Sequence, residues 1–201
     1  MRLNRLSALA AIAVLGVAAI TPLRAQEYDP IFDFIPLGGR SLLSQVLASE
    51  PPATEVRALL AGKRSRDEWL SYLKSRQSAI PGLKDLDERE LLTLADYLSF
   101  SMPLPAGKMP ASFAKVDWRK VLPRDGRDLA LDYCQSCHII TVTVTQDRTK
   151  EHWLGTMNKP SHIEIKLSKE EREALASYLV LNAGIPIEQV PEDLRAGGAS
   201  Y

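Results

Sequence analysis

Two cysteines and a histidine lie next to one another in the second half of the chain. The sequence reads Cys134-Gln-Ser-Cys137-His138, and these are the only two cysteines among 201 residues. The C-x-x-C-H spacing is the attachment pattern of c-type haem. Each thiol can form a thioether bond with a vinyl group, and the adjacent imidazole can bind the iron. We therefore predict one covalently attached haem c per chain, with His138 as its proximal ligand.

Other chemistry is open to the same two cysteines. A thioredoxin-like redox pair would need a βαβ context, which the sequence does not offer. A zinc site would need further ligands, and no second C-x-x-C follows. A disulfide bond would suit an exported protein. The histidine directly after Cys137 favours haem over these three alternatives.

The N-terminal segment, residues 1–25, has the order of a secretory signal peptide. Two arginines precede an uncharged run at 6–20, and Ala25 offers a small residue for cleavage. The run is short for a membrane span. Leu23 is larger than the residue usually found three positions before the cut, so an uncleaved membrane anchor remains the alternative. We expect export to the periplasm, with membrane contact only if this segment is retained.

The charge balance excludes one class of partner. The chain carries 25 basic and 25 acidic residues, and 45% of its residues are hydrophobic, as in an ordinary globular protein. Three of the basic residues and none of the acidic ones lie in 1–25, so removal of this segment leaves a formal charge of −3. A nucleic-acid-binding protein would normally carry a basic excess. We therefore expect no nucleic-acid partner.

Beyond the five-residue motif, the segment 123–186 resembles the cytochrome c family. It combines a glycine at the start of the helix before the cysteines, the pattern R-x4-W, a later methionine, and a closing helix that reads L-S-x-E-E…Y-L. In chain order these features are Gly126, Arg148, Trp153, Met157 and residues 167–179. The combination is similar to single-haem electron-transfer subunits of periplasmic dehydrogenases, such as sulfite dehydrogenase. The resemblance implies a helical fold, with the arginine, tryptophan and methionine near the haem.

The closing helix is also predicted from its own residues. Ser168 and Glu171 have the spacing of an N-terminal capping box. Leu175, Tyr178 and Leu179 then recur at helical spacing and form one apolar face. We expect this face to pack in the core and against the haem edge.

The sixth iron ligand has several candidates. Met157 is the only methionine after the haem motif, and the resemblance favours it. Relatives place this methionine about seven residues after the tryptophan, whereas here the interval is four, which keeps the same helix face. His162, His152 and an open site are the alternatives.

Two neighbouring side chains have two interpretations each. Arg148 is either a partner for a haem propionate, through charge-assisted hydrogen bonds, or a solvated arginine. Trp153 is expected to pack in the core or against the haem rather than to conduct electrons.

The first half of the chain resembles the second. The pattern R-x4-W and the closing helix both recur in the same order, which indicates a duplicated module. The matched segments are 36–42 with 123–129, 64–73 with 148–157, and 86–98 with 167–179, at offsets of 87, 84 and 81 residues.

The chemistry is missing from the first copy. Residues 47–54 stand where the haem motif would fall, and residues 26–110 contain neither cysteine nor histidine. Leu73 replaces Met157. We therefore expect a degenerate, haemless module whose core is refilled by apolar side chains. The candidates for refilling are Leu59, Leu60, Leu70, Tyr72, Leu73, Leu91, Leu92 and Leu94.

The predicted architecture is all-α, with two cytochrome c-like helical modules. We expect a signal peptide at 1–25, a haemless module at 26–105, a linker at 106–119, a haem domain at 120–187 and a tail at 188–201. The resemblance implies an electron carrier, not itself an enzyme, that takes single electrons from a periplasmic dehydrogenase and passes them to a cytochrome or a terminal oxidase. The alternatives are a haem enzyme or ligand sensor with an open or displaceable sixth site, and a structural or assembly subunit of a dehydrogenase complex.

Overall fold

Helices account for the regular structure of the residues that the structure describes. The computed structural model describes residues 29–195, so the predicted signal segment 1–25 lies outside the described range. Within that range there is no β-strand, and the predicted all-α class is confirmed. No helix between residues 29 and 195 has the length and apolar character needed to cross a membrane.

The described α-helices are joined by turns and by longer connections, among them residues 77–87 and 102–117. A π-helical turn, Ala130–Cys134, continues the sixth of them, and short 3₁₀ turns cover Pro30–Phe32, Pro81–Leu83, Ala106–Lys108, Ile187–Gln189 and Glu192–Leu194. The helices are α1 (Gly39–Ala48), α2 (Ala53–Ala61), α3 (Arg66–Arg76), α4 (Glu88–Ser101), α5 (Trp118–Val121), α6 (Gly126–Leu129), α7 (Thr141–Val144), α8 (Lys150–Met157), α9 (Pro160–Ile163) and α10 (Lys169–Asn182).

Local sequence sets where four of these helices begin. In a capping box, the side chain of the residue just before the helix accepts a hydrogen bond from the backbone N–H three residues later. The side chain of that later residue accepts one from the backbone N–H of the first. The predicted box of Ser168 and Glu171 at α10 is confirmed. The same reciprocal bonds open α3, α4 and α6, through the pairs Ser65–Glu68, Asp87–Glu90 and Asp125–Asp128.

The described residues from Ile31 onward belong to one compact unit that contains two hydrophobic clusters. The first cluster surrounds Trp69 and the second surrounds Trp153. Of the residues expected to refill the first core, Leu92 is half-buried, and Leu70 and Tyr72 pack at the cluster's edge. The others are buried in it: Leu59, Leu60, Leu73, Leu91 and Leu94.

Each cluster also includes residues from the segment that leads into the other half of the chain. Ile35 is buried in the second cluster, beside the half-buried Phe32 and Phe34. In the opposite sense, Trp118 and Leu122 are buried in the first cluster. The residues that lead into α1 therefore pack with the second half of the chain, and those that lead into α6 pack with the first half.

Two tyrosine hydroxyls also connect each half of the chain to the other. The hydroxyl of Tyr97, on α4, donates a hydrogen bond of 2.8 Å to the carbonyl oxygen of Pro123. The hydroxyl of Tyr178, on α10, donates one of 2.6 Å to the carbonyl oxygen of Pro36. The two prolines occupy matched positions in the repeat. Each closing helix is thus bonded to the start of the other half.

Helices α4 and α10 also contact each other directly. Near the middle of the contact, Ser177 Oγ donates to Asp96 Oδ1 at 2.8 Å. Burial raises the pKa of the Asp96 carboxyl, and this hydrogen bond acts in the opposite direction. One turn away, Asn182 Nδ2 donates to Thr93 Oγ1 at 3.1 Å. Buried polar pairs therefore fix the register of these two helices.

Each half contains one very close approach between two helices. At the start of α1, Gly39 lies against the side chain of Tyr97 on α4. At the start of α6, Gly126 lies against the side chain of Tyr178 on α10. A Cβ at either glycine would collide with the tyrosine Cβ, so only glycine allows this approach.

We expect Gly126→Ala to lower the free energy of unfolding by about 1–3 kcal/mol, the usual cost of overpacking. Gly155→Ala is the matched control, because a Cβ at that position in α8 meets nothing within 4 Å. Alanine there should leave stability unchanged or raise it by up to about 1 kcal/mol. Denaturant unfolding followed by circular dichroism measures both variants, and equal stabilities would contradict the tight contact with Tyr178.

Candidate cofactor site

A cavity in the second half of the chain collects the residues that the sequence singles out. It contains about 910 Å³ of empty space, including its open mouth, and lies next to the second hydrophobic cluster. An apolar wall is formed by Ile165, Leu167, Leu175 and Leu179. The predicted site residues that line it are Cys134, Cys137, His138, Trp153 and Met157, together with the alternative ligand His162.

The two thiols reach the cavity from the end of a helix. The π-helical turn before Cys134 is closed by a hydrogen bond of 3.3 Å from the Gln135 N–H to the Ala130 carbonyl oxygen. Such turns widen a helix locally and are frequent at functional sites. The N–H groups of Cys137 and His138 then both point to the Cys134 carbonyl oxygen at 3.4 Å. The turn therefore brings both thiols and the imidazole to the same cavity.

A side-chain bond holds the loop after the motif. The Ile140 N–H donates to Gln135 Oε1 at 2.6 Å, which bridges the segment that contains Cys137 and His138. Ile140 itself is fully buried in the second cluster. The loop is thus anchored at both ends, and its thiol and imidazole line the cavity. The His138 Nδ1 atom lies 3.4 Å from the Ile139 carbonyl oxygen.

The two thiols lie in different environments. Cys134 is half-buried, and burial raises the pKa of its thiol, although a hydrogen bond with Thr143 acts in the opposite direction. Cys137 is exposed, with its Sγ atom 3.7 Å from Ser136 Oγ. Both thiols are free rather than joined in a disulfide bond. Cys137 is therefore the more accessible of the two.

The structure distinguishes among the three side chains that are candidates for the sixth iron ligand. Met157 is the last residue of α8 and is 7% exposed. His162, in α9, is half-buried, and its Nδ1 lies 3.2 Å from Ser161 Oγ. Both line the cavity. His152 is exposed on α8 and does not line it, so the cavity itself offers Met157 and His162.

Trp153 carries a polar atom that protein groups do not satisfy. The residue is 4% exposed and lines the cavity, and its Nε1 atom has no hydrogen-bond partner among the described residues. A buried donor without a partner costs free energy. A ligand in the cavity that presents an acceptor, such as a carboxylate, would remove that cost. Trp69, its counterpart in the first half, has the same unpartnered Nε1 but does not line this cavity.

Arg148 lies beside the tryptophan rather than in the cavity lining. Its guanidinium carbon is 5.1 Å from the centre of the Trp153 ring, a cation–π distance. The guanidinium also donates to Thr156 Oγ1 at 2.9 Å and to Gln146 Oε1 at 3.3 Å. These contacts hold the indole and the end of α8, and the structure assigns Arg148 a supporting position.

The matched positions of the first half offer different chemistry. Leu47, Glu50 and Pro51 stand where the second half has its two cysteines and its histidine, and they line a groove on the surface. None of the side chains that line this groove is a thiol, an imidazole or a thioether.

The first core also contains buried residues that were not predicted from the sequence, among them Ile80 and Leu83. Both are fully buried in the first cluster. The turn that carries them is held against α1 by a hydrogen bond of 2.9 Å from the Gly82 N–H to Ser49 Oγ. The signal that could have found them is the apolar spacing around Pro81 and Gly82, a dipeptide typical of a turn.

Comparison with known proteins adds no relative. No family model, no curated protein and no solved structure matches this chain. The interpretation therefore depends on the residues themselves. Two thiols, two imidazoles and a thioether line one cavity beside an apolar wall, and they form a donor set that could hold a covalently attached haem.

We expect Cys137 to react with iodoacetamide several-fold faster than Cys134 in haem-free protein at pH 7.5. Cys137 is exposed, whereas burial both shields Cys134 and raises its pKa, which lowers its thiolate fraction at that pH. Peptide mass spectrometry over time measures the two rates. In urea the rates should converge. Faster reaction of Cys134 in the folded protein would contradict the described burial.

Proposed function

We propose that this protein is a periplasmic monohaem c-type cytochrome that carries single electrons. The observation that supports this best is the convergence of both thiols of the C-x-x-C-H motif, its histidine and a methionine on one cavity. When bound there, haem supplies an iron that accepts and releases one electron at a time. The protein itself then needs no catalytic residue, and any catalysis belongs to its partner.

Each residue at the cavity has a role in this proposal. Cys134 and Cys137 would hold the haem covalently, and His138 would be the proximal iron ligand. Met157 would be the distal ligand, since it is buried at the cavity wall at the end of a helix. A thioether ligand favours ferrous over ferric iron and raises the reduction potential, which suits a carrier.

The remaining contacts would tune the site. Trp153 would donate its unpartnered N–H to a haem carboxylate, and Arg148, stacked on the indole, would hold that ring in place. The leucine and isoleucine wall would cover one side of the haem with apolar side chains. Such a wall would limit the access of water to the iron, which suits an electron carrier better than an enzyme that must bind a substrate there.

The two halves would be a haemless and a haem-binding copy of one module, with the limits predicted from the sequence. The matched glycine–tyrosine contacts support this, because they recur at the offsets of the sequence repeat. The reciprocal hydrogen bonds to Pro36 and Pro123 support it as well. Two unrelated helical segments would have no reason to share both features.

The proposal includes a partner on each side of the electron transfer. A periplasmic dehydrogenase would be the donor, and a cytochrome or a terminal oxidase the acceptor. The signal-peptide order of residues 1–25 supports export, and export supplies the oxidising compartment in which haem is attached. Membrane contact would arise only through retention of that segment.

The optical spectrum tests the proposal. We expect purified wild-type protein to carry one covalent haem, with a low-spin ferric spectrum and the near-infrared band of methionine–iron ligation. Met157→Leu should remove that band, because leucine has no donor atom. Met109→Leu is the matched control, since Met109 packs with the first cluster and not with the cavity, and it should leave the spectrum unchanged.

Other outcomes would favour the other functions. A high-spin ferric spectrum in the wild type would argue against the carrier and for a ligand sensor or enzyme with an open sixth site. A methionine band that survives in Met157→Leu would exclude Met157 as the ligand. Co-purification with a dehydrogenase whose activity survives loss of His138 would favour a structural subunit.

A further inference from the structure

One arginine of α10 bonds to the segment that carries both candidate sixth ligands. The guanidinium of Arg172 donates from Nη1 to the Met157 carbonyl oxygen at 2.7 Å. Its Nη2 donates to the Ile165 carbonyl oxygen at 2.9 Å, with a longer contact of 3.4 Å to that of Ile163. These acceptors enclose residues 157–165, which include His162.

Two of these acceptors, the carbonyl oxygens of Met157 and Ile163, are groups that the local helices leave unpaired. The last carbonyls of an α-helix have no partner within it. Met157 ends α8 and Ile163 ends α9, so a single guanidinium serves the C-terminal ends of two successive helices. A positive charge is also favourable at such ends, because of the helix dipole. The planar fork of arginine can reach two acceptors at once, which an ammonium group does less well.

The position of Arg172 leaves the cavity open. Met157 and Ile165 line the cavity, and Arg172 does not. Arg172 therefore holds the cavity wall from outside, through hydrogen bonds to backbone carbonyl oxygens of Met157 and Ile165, and it does not fill the cavity. The first half has no arginine at the corresponding position. Leu91 stands where the second half has Arg172, and it is buried in the first cluster. There the corresponding segment is anchored by the buried side chains of Ile80 and Leu83.

We infer that Arg172 is a positioning residue that clamps residues 157–165 and so keeps the sixth ligand at the iron. The consequence for iron ligation rests on the proposed function, whereas the clamp itself does not. Loss of the clamp would let the segment move away from the cavity more often. An external ligand that needs this open state would then bind more tightly, because apparent affinity scales with the open fraction.

Hydrogen exchange tests the clamp without reference to haem. In the full-length protein as produced, we expect Arg172→Gln to raise exchange rates of the amides in 158–166 at least about tenfold, while those of α4 stay unchanged. Lys169→Gln is the matched control: it removes one positive charge from the exposed first turn of the same helix. It should leave exchange in 158–166 as in the wild type.

Imidazole titration of the ferric protein tests the consequence. Imidazole must displace the sixth ligand, so we expect Arg172→Gln to bind it at least about tenfold more tightly than the wild type and Lys169→Gln. Arg172→Lys keeps the charge without the fork and should fall between them. It also serves as the second variant if Arg172→Gln does not fold, which circular dichroism would show.

The outcomes separate the clamp from the proposed function. Unchanged exchange in 158–166, or imidazole affinity equal to that of the Lys169 variant, would overturn the clamp even with the methionine band present. Wild-type behaviour of Arg172→Lys would overturn it too, because charge alone would then suffice. A wild type without haem would overturn the proposed function, while faster exchange in Arg172→Gln would still support the clamp.

Discussion

The absence of a side chain at two helix starts is the constraint on which both halves depend. Gly39 and Gly126 let α1 and α6 approach the tyrosines of α4 and α10 more closely than any other residue would allow. Because each helix starts at this fixed point, its far end is fixed as well, and in α6 that end leads through the π-helical turn to Cys134. The hydroxyls of the same tyrosines also donate hydrogen bonds to backbone carbonyl oxygens of the other half. Local packing and the union of the halves therefore have one origin.

The two halves use this common frame in opposite ways. In the first half, apolar side chains such as Leu73, Ile80 and Leu83 are fully buried in the core. In the second half, a cavity remains, and the segment that bounds it is held through its backbone carbonyls by Arg172. A filled core is stabilised by the apolar area that it buries. A cavity loses that stabilisation, so its walls depend on other contacts, and the hydrogen bonds from Arg172 outside the cavity are such contacts.

Much of the site was predictable because its chemistry lies in short, local patterns. The C-x-x-C-H motif and the capping box of Ser168 and Glu171 each involve residues within five positions of one another. Met157 was predicted through a resemblance, and the structure places it at the cavity wall. What could not be predicted depends on contacts between distant segments. The bonds from Arg172, for example, become visible only when α10 lies beside the end of α8, and a lone arginine on a helix is usually a solvated one.

The exchange of leading segments also affects the order in which the chain can fold. The first cluster includes Trp118 and Leu122, which follow the proline- and glycine-rich stretch after α4. A growing chain that ends at residue 110 lacks these two side chains and leaves the apolar surface beneath them in water. The second cluster has no such dependence on residues made later, because Ile35, its buried residue from the first half, is synthesised before the others. Synthesis from the N-terminus therefore delays completion of the first core until Trp118 and Leu122, at the start of the second half, have been made. The second core, which extends to Ile185, is completed only after that.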